Sequence, residues 1–279
     1  MTLKQALERA RHILAASDIE EAALESELLL RQVLKIGRIQ LYLELDNELT
    51  KKQEESLRRL TQRRLKGEPN AYITGHREFY GHDFRVDGRV LIPRPESELL
   101  VDRAISLARG YHAPIIADIG TGCGAIAISL ALELPQAKVY ASDISAAALE
   151  VARVNCQKHG VADRVCLLQG DMLKPLPEPV DLIVANLPYV RRQEVNDNHF
   201  EPSLALNGGR YGTEQIGRLC LEVGSRLRPG GGLLLEIGQG QEKAVTSRLK
   251  RLFPRAKIEV VPDLAGITRV VTAVLPAEP

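Results

Sequence analysis

From Ile115 onward the chain alternates short β-prone apolar runs with helical stretches, and this alternation restricts the fold more than any other feature. Ile115–Ile119 reads as a buried strand leading into a helix through Leu132, and Lys138–Ser142 as a strand leading into a helix from Ser145 to about His159. Val165–Gln169, Val180–Ala185, Leu233–Ile237, Lys257–Val261 and Arg269–Leu275 read as further strands. The pattern predicts an α/β fold, an open and mainly parallel sheet with helices on both faces. One connection breaks it. Between Ala185 and a helix near Thr213 lies a long aperiodic stretch containing NLPYV and FEPSLALNGGRYG. A connection that long inside a compact domain is usually functional, and it follows the carboxyl end of a strand, where α/β sheets bind ligands.

Residues 1 to about 75 differ in character. Apolar residues recur at helical spacing in Leu3, Leu7, Ala10, Ile13 and Leu14, and again in Leu24, Leu28, Leu29, Val33 and Leu34. In a third helix Thr50 and Gln53 fit a capping box, and Gly67 fits a C-terminal cap. That helix carries Arg58, Arg59, Arg63, Arg64 and Lys66. Two readings stand: a solvated helix end complementing the macrodipole, or a contact surface for an acidic or RNA-bearing partner. Arg77–Val86 reads as a hairpin, two β-prone runs around Gly81. With 279 residues there is room for about two domains of roughly 150 residues each. The expected boundaries are 1–75 for a helical domain, 76–95 for a hairpin connector and 96–279 for the α/β domain.

Charge and composition remove several classes. Lys and Arg total 37 against 36 Asp and Glu, a net charge of +1, so the broad positive field of a dedicated nucleic-acid binder is missing. Aromatics are only 4% and Trp is absent, which argues against a platform for stacking bases. Cys123, Cys156, Cys166 and Cys220 have no C-x-x-C spacing and read as small buried thiols. The histidines are scattered, and no metal site is expected. No segment reaches the roughly 18 apolar residues of a membrane span, and MTLKQALERARHIL has no apolar core of a secretory signal. A cytoplasmic protein with no membrane contact is expected.

Three signals carry chemistry. Asp118-Ile119-Gly120-Thr121-Gly122-Cys123-Gly124 closes a strand and opens a helix, and its glycines permit a sharp turn and close approach to a ligand. Asp143 ends the next strand, where a carboxylate can accept hydrogen bonds from a ribose diol, although a helix-capping role competes. Together they favour an adenosine-type cofactor, with NAD and S-adenosylmethionine both open at this point. Asn186-Leu187-Pro188-Tyr189 then ends the fourth strand. The Asn oxygen and a neighbouring carbonyl can grip one NH2 group, and the Tyr ring offers a flat face for a planar group. That pairing suits methylation of an amide or exocyclic amine, whose nitrogen must pyramidalise in the transition state.

The ordered set LIPRPESE, DIGTGCGAIAISLA, Asp143, Gly170-Asp171-Met172, NLPYV, FEPSLALNGG and DLAGITRVV closely resembles the release-factor glutamine methyltransferases, the PrmC/HemK family, over nearly the whole chain. The resemblance implies a class I S-adenosylmethionine-dependent methyltransferase domain, Rossmann-like, behind a small N-terminal helical domain that recognises substrate. It implies methyl transfer to the side-chain amide of the glutamine in the Gly-Gly-Gln loop of peptide chain release factors, with S-adenosyl-L-homocysteine as product. Asp118, Gly120, Thr121, Gly122, Cys123 and Gly124 would contact the cofactor, Asp143 its ribose, and Asp171 and Met172 its adenine region. Asn186 would meet both cofactor and substrate, and Asn186, Leu187, Pro188 and Tyr189 would hold the glutamine.

Two positions depart from the family. Leu187 replaces the usual first Pro of Asn-Pro-Pro-Tyr, and Met172 stands where an aromatic is common. Proline sterics still push residue 187 toward extended geometry, and a thioether can pack on adenine.

Competing readings are an adenine amino-methyltransferase on DNA or RNA, a glutamine methyltransferase acting on a ribosomal protein, and a silent nucleotide-binding module. The first needs a basic groove that the charge does not supply, and LIPRPESE favours the release-factor branch over the second. Stable nucleic-acid binding is not expected.

Overall fold

In the computed structural model, which describes residues 1–195 and 200–277, the chain divides into two compact units, Met1–His76 and Arg77–Pro279. The first unit is helical: α1 (Leu3–Ala15), α2 (Ala22–Leu34), α3 (Arg38–Leu43), α4 (Lys51–Leu65) and α5 (Asn70–Thr74). Thr2 opens α1 and Thr50 opens α4, each with a reciprocal capping box to Gln5 or Gln53. Leu3, Leu14, Leu29, Leu30, Leu41, Leu57 and Ile73 form its core. Two residues expected inside are outside. Ile13 is exposed because its neighbour Leu14 takes the inward direction, and Leu24 is exposed because the inner face of α2 runs through Ala22, Ser26, Leu29 and Leu30.

The basic run of α4 is largely tied up within the unit. Arg63 pairs with Glu68 and Arg64 with Glu25, while exposed Arg58 lies 3.9 Å from Glu55. These pairs favour the solvated helix end over a cationic contact surface.

From the last residue of the first unit onward the chain forms a hairpin, β1 (His76–Phe79) and β2 (His82–Arg85), turned by Tyr80 and Gly81, both at positive φ. Expected as a connector, the hairpin is anchored in the second unit: Phe79 and Phe84 are buried, and the side chain of Asn155 bonds both backbone groups of Arg85.

The α/β part runs α6 (Glu98–Ala108), β3 (Ile115–Ile119), α7 (Ala125–Glu133), β4 (Lys138–Asp143), α8 (Ala146–Lys158), β5 (Val165–Gln169), β6 (Val180–Ala185), α9 (Ser203–Leu206), α10 (Glu214–Glu222), β7 (Leu227–Glu236), α11 (Glu242–Leu252), β8 (Lys257–Pro262) and β9 (Thr268–Val274). The sheet order is β5-β4-β3-β6-β7-β9-β8. Strands β5 through β7 are parallel, and β9 is antiparallel to both its neighbours.

Central β6 (VDLIVA) is buried at every residue, as a strand covered on both faces must be. Edge strand β5 is less covered, which leaves Cys166 exposed while Cys123, Cys156 and Cys220 are buried. The chain leaves β3 toward β4 and β5, then returns to β6 on the other side of β3. That reversal opens a crevice at the carboxyl ends of β3 and β6, where doubly wound sheets bind ligands.

Candidate active site

A cavity of about 690 Å³ occupies this crevice. Gly120, Gly122, Asp143, Asp171, Met172, Asn186, Leu187 and Pro188 all border it, so four separate strand ends bring most of the expected residues to one wall. Asp118, Thr121, Cys123, Gly124 and Tyr189 do not border it.

The glycine turn is positioned by β4, since the N–H groups of Gly120 and Thr121 both donate to the Ser142 carbonyl, at 2.8 and 3.0 Å. Gly122 has φ +56°, and a Cβ there would meet no protein atom within 4 Å. It would instead stand in the cavity. Gly124 serves packing: its added Cβ would lie 3.0 Å from Ile128 Cδ1 and 3.3 Å from Ala152 Cβ, so only glycine lets α7 and α8 approach there.

Asp118 is buried beneath the turn, its Oδ2 accepting from Thr121 Oγ1 at 2.6 Å and from the Ala127 N–H at 3.2 Å. Burial pushes its pKa up to about 7, with those two hydrogen bonds opposing the shift. Buried Cys123 is pushed up to about 12, which keeps it an inert thiol.

Asp143 accepts from the Gly122 N–H at 2.9 Å through one oxygen and from the Ser145 N–H at 2.8 Å through the other. Each oxygen keeps an acceptor site, and no cation pairs with it among the described residues. Ser145 itself caps α8 by accepting from the Ala148 N–H, so Asp143 is not the helix cap. Two adjacent acceptors beside Ile144 and Met172 match the diol and flat apolar ring of an adenosine. Asp171, by contrast, is bound by Lys174 at 2.9 Å and Arg218 at 2.7 Å, and Lys174 foremost holds its carboxyl below the usual range.

Asn186 leaves β6 with Nδ2 donating to Ser97 Oγ at 2.9 Å, while Oδ1 has no partner among the described residues. Leu187 is buried, its Cδ2 3.2 Å from where a Cβ on Gly120 would stand. The Tyr189 hydroxyl donates to Glu236 Oε1 at 3.1 Å, and its carbonyl accepts from Gln241 Nε2 at 2.8 Å. Burial and the Glu236 charge raise the Tyr189 pKa, so the phenol stays protonated.

The long connection folds back on this segment. The Val190 N–H donates to Leu206, the Gly208 N–H to Val190 and the Arg192 N–H to Gly209, laying Asn207–Gly209 beside Pro188–Val190. Glu201 in the same connection binds Arg94 at 2.6 Å and the Ile92 N–H at 3.0 Å, which ties it to LIPRPESE.

Residue-by-residue reading of the sequence missed Ser97, Glu236 and Gln241. For Glu236 a signal existed, a carboxylate directly after the apolar run Leu233–Leu235, as Asp143 ends its own strand.

Comparison with known proteins matches residues 5–75 to the PrmC N-terminal domain and residues 96–205 to the methyltransferase small domain. A release factor glutamine methyltransferase of Moorella thermoacetica is 43% identical over 274 residues, covering 96% of this chain and 97% of its own. Another, of Koribacter versatilis, is 40% identical over 279 residues, covering 97% and 98%. Among solved structures, a methyltransferase from Pyrococcus furiosus shares the fold at 19% identity and a TM-score of 0.55, over 77% of this chain and 99% of that one. With identity at this level running through both units, the chain belongs to the release factor glutamine methyltransferase family.

Proposed function

We propose that the chain transfers a methyl group from S-adenosyl-L-methionine to the side-chain amide nitrogen of the Gly-Gly-Gln glutamine in peptide chain release factors. The observation that carries this reading is the one cavity bordered by Gly122, Asp143 and Asn186, whose Oδ1 has no partner among the described residues.

When bound, the cofactor supplies a methyl already activated by its sulfonium. Asp143 would hold the ribose hydroxyls and the glycine turn would let the backbone approach closely. Asn186 Oδ1 would accept one amide N–H and orient the nitrogen. Transfer of that methyl to the oriented nitrogen would leave S-adenosyl-L-homocysteine and release one amide proton to solvent. Catalysis by this chain is positioning and exclusion of water. Leu187, buried against Gly120, would hold the segment in place of the proline that the family resemblance leads one to expect. The reading implies a cytoplasmic protein without stable nucleic-acid binding. Among the described residues, no helix is long and apolar enough to cross a membrane.

The test is incubation with labelled S-adenosylmethionine and purified release factor, followed by mass mapping of the modified residue. Methyl on the Gly-Gly-Gln glutamine supports the reading, whereas methyl confined to a ribosomal protein or to nucleic acid overturns it. Asp143→Ala should weaken cofactor binding, since each charge-assisted hydrogen bond contributes about 1.5–3 kcal/mol. Calorimetry showing unchanged affinity in a folded variant removes Asp143 from the ribose role.

The N-terminal unit carries none of the cofactor or amide-binding features, and we assign it to release-factor recognition. A second contact raises the effective concentration of the glutamine at the cavity without altering the chemistry. A chain beginning at Arg77 should bind S-adenosylmethionine yet methylate intact release factor poorly. Full activity of that shortened chain on release factor, with a folded circular dichroism spectrum, would sink the recognition role.

A further inference from the structure

Behind Asn186 lies a buried polar chain that ends on a carboxylate. Ser97 and Glu236 are only 3% and 1% exposed. Ser97 Oγ stands 2.5 Å from Glu236 Oε2, and Asn186 Nδ2 stands 2.9 Å from Ser97 Oγ. The other carboxylate oxygen takes the Tyr189 hydroxyl. Strand register makes the meeting possible: β6 and β7 are parallel with Ala185 opposite Leu235, so Asn186 and Glu236 leave adjacent strand ends.

The chemistry of these groups gives the chain a direction. An ionised carboxylate only accepts, and a serine hydroxyl has one proton to give. With that proton committed to Glu236, Ser97 can only accept from Asn186. The amide must then turn Nδ2 toward Ser97, because the reverse orientation sets an amide oxygen against a hydroxyl lone pair inside a buried site. Oδ1 is left pointing away from the serine. Burial foremost raises the Glu236 pKa and the Glu96 charge adds to the rise, against the hydroxyls of Ser97 and Tyr189 and the charge of Arg269. It is the geometry, one hydroxyl facing each carboxylate oxygen, that suits an acceptor-only carboxylate.

We propose that Glu236 and Ser97 are positioning residues, a relay whose proton order fixes the Asn186 amide with its oxygen toward the substrate N–H. The proposal rests on the amide-methylation reading above and adds to it the residues that select the amide's orientation. It also accounts for the serine of LIPRPESE, which has no place on the cavity wall. Neither residue touches the reacting atoms.

Glu236→Gln is the decisive variant. It keeps the shape but adds an amide donor, which can donate to Ser97 and free the serine proton to meet Asn186 Oδ1. The expected result is kcat on release factor lowered about tenfold or more, with KM, cofactor affinity and Tm near parental values. Ser97→Ala should lower kcat similarly, and the double variant should be no worse than Ser97→Ala alone, because linked residues act as a unit. Tyr189→Phe, which removes only the other hydrogen bond to Glu236, should cost less than Glu236→Gln.

A readout independent of turnover is hydrogen exchange of the Asn186 side-chain amide in ¹⁵N-asparagine-labelled protein, assigned with Asn186→Ala. Protection in the parent that is lost in Ser97→Ala and Glu236→Gln supports the relay. Parental kcat in Glu236→Gln, additive effects in the double variant, or a joint fall of Tm, cofactor affinity and kcat overturns it. If Glu236→Gln does not fold, the smaller Ser97→Ala carries the kinetic and exchange tests. A parent that methylates no release factor glutamine defeats the functional reading instead, and amide exchange still decides the relay.

Discussion

Replacing Asn186 with alanine should lower the single-turnover rate on release factor about 10²-fold, the loss expected when a transition-state hydrogen bond disappears. S-adenosylmethionine affinity should weaken far less than the rate falls, because uniform binding and transition-state stabilisation are separable quantities. The reason lies in the substrate. An amide nitrogen shares its lone pair with the carbonyl, so it reacts only after that conjugation is broken and the nitrogen becomes pyramidal. An acceptor placed against one N–H gains strength as this happens, and so contributes to the barrier more than to ground-state binding. Asn186 borders the cavity with an amide oxygen that has no partner among the described residues, while Asp143 and Gly122, which would hold the cofactor, belong to other strand ends. Rapid-quench measurement with calorimetry of the same preparation checks both halves. Equal single-turnover rates for variant and parent would show that Asn186 does not act on the nitrogen.

Much of this architecture was legible because local pattern and tertiary environment agree. Ile115–Ile119, Val165–Gln169 and Val180–Ala185 are strands at those bounds, since continuous apolar runs flanked by turn formers have few other ways to be buried in an α/β fold. Asp143 was ambiguous between cap and ligand in the sequence, and the structure gives the helix cap to Ser145. Failures came where one residue decides between adjacent faces. Ile13 and Leu24 satisfy a helical period as well as their neighbours do, and only the packed core reveals which side is inside.

Ser97 and Glu236 were illegible for a different reason. They are 139 residues apart, and neither the serine two residues after a proline nor the acid after an apolar run implies the other until strand order joins them. The glycine turn was legible as a motif but not in its parts. Gly122 leaves room in the cavity, whereas Gly124 is required by helix packing, and spacing alone assigns both to the ligand.

Gly208→Ala should nearly abolish methyl transfer while sparing cofactor binding. A Cβ at this position would lie 2.6 Å from the Pro188 carbonyl oxygen, 2.7 Å from Tyr189 Cα and 2.8 Å from the Gly212 carbonyl oxygen. All three are backbone atoms, so no side-chain rotation relieves the clash. Gly208 cannot retreat easily either, because its N–H donates to Val190 and its carbonyl accepts from the Glu214 N–H. What must move is the Pro188–Val190 segment, and with it the orientation of Asn186 two residues earlier. A misplacement of about 1 Å near reacting groups can cost on the order of 10²-fold in rate. Overpacking of this kind costs roughly 1–3 kcal/mol, a fraction of ordinary domain stability, so most of the protein should remain folded. Cofactor affinity should persist because the Gly120 turn and Asp143 are anchored on β3 and β4, independently of Gly208. Gly88→Ala is the matching control: its Cβ would meet only the Phe200 carbonyl oxygen at 3.8 Å, an ordinary contact, and activity should be unchanged. Parental kcat in a folded Gly208→Ala protein would mean that the cavity wall tolerates displacement of Pro188 and Tyr189, and that the geometry of this segment does not set the rate.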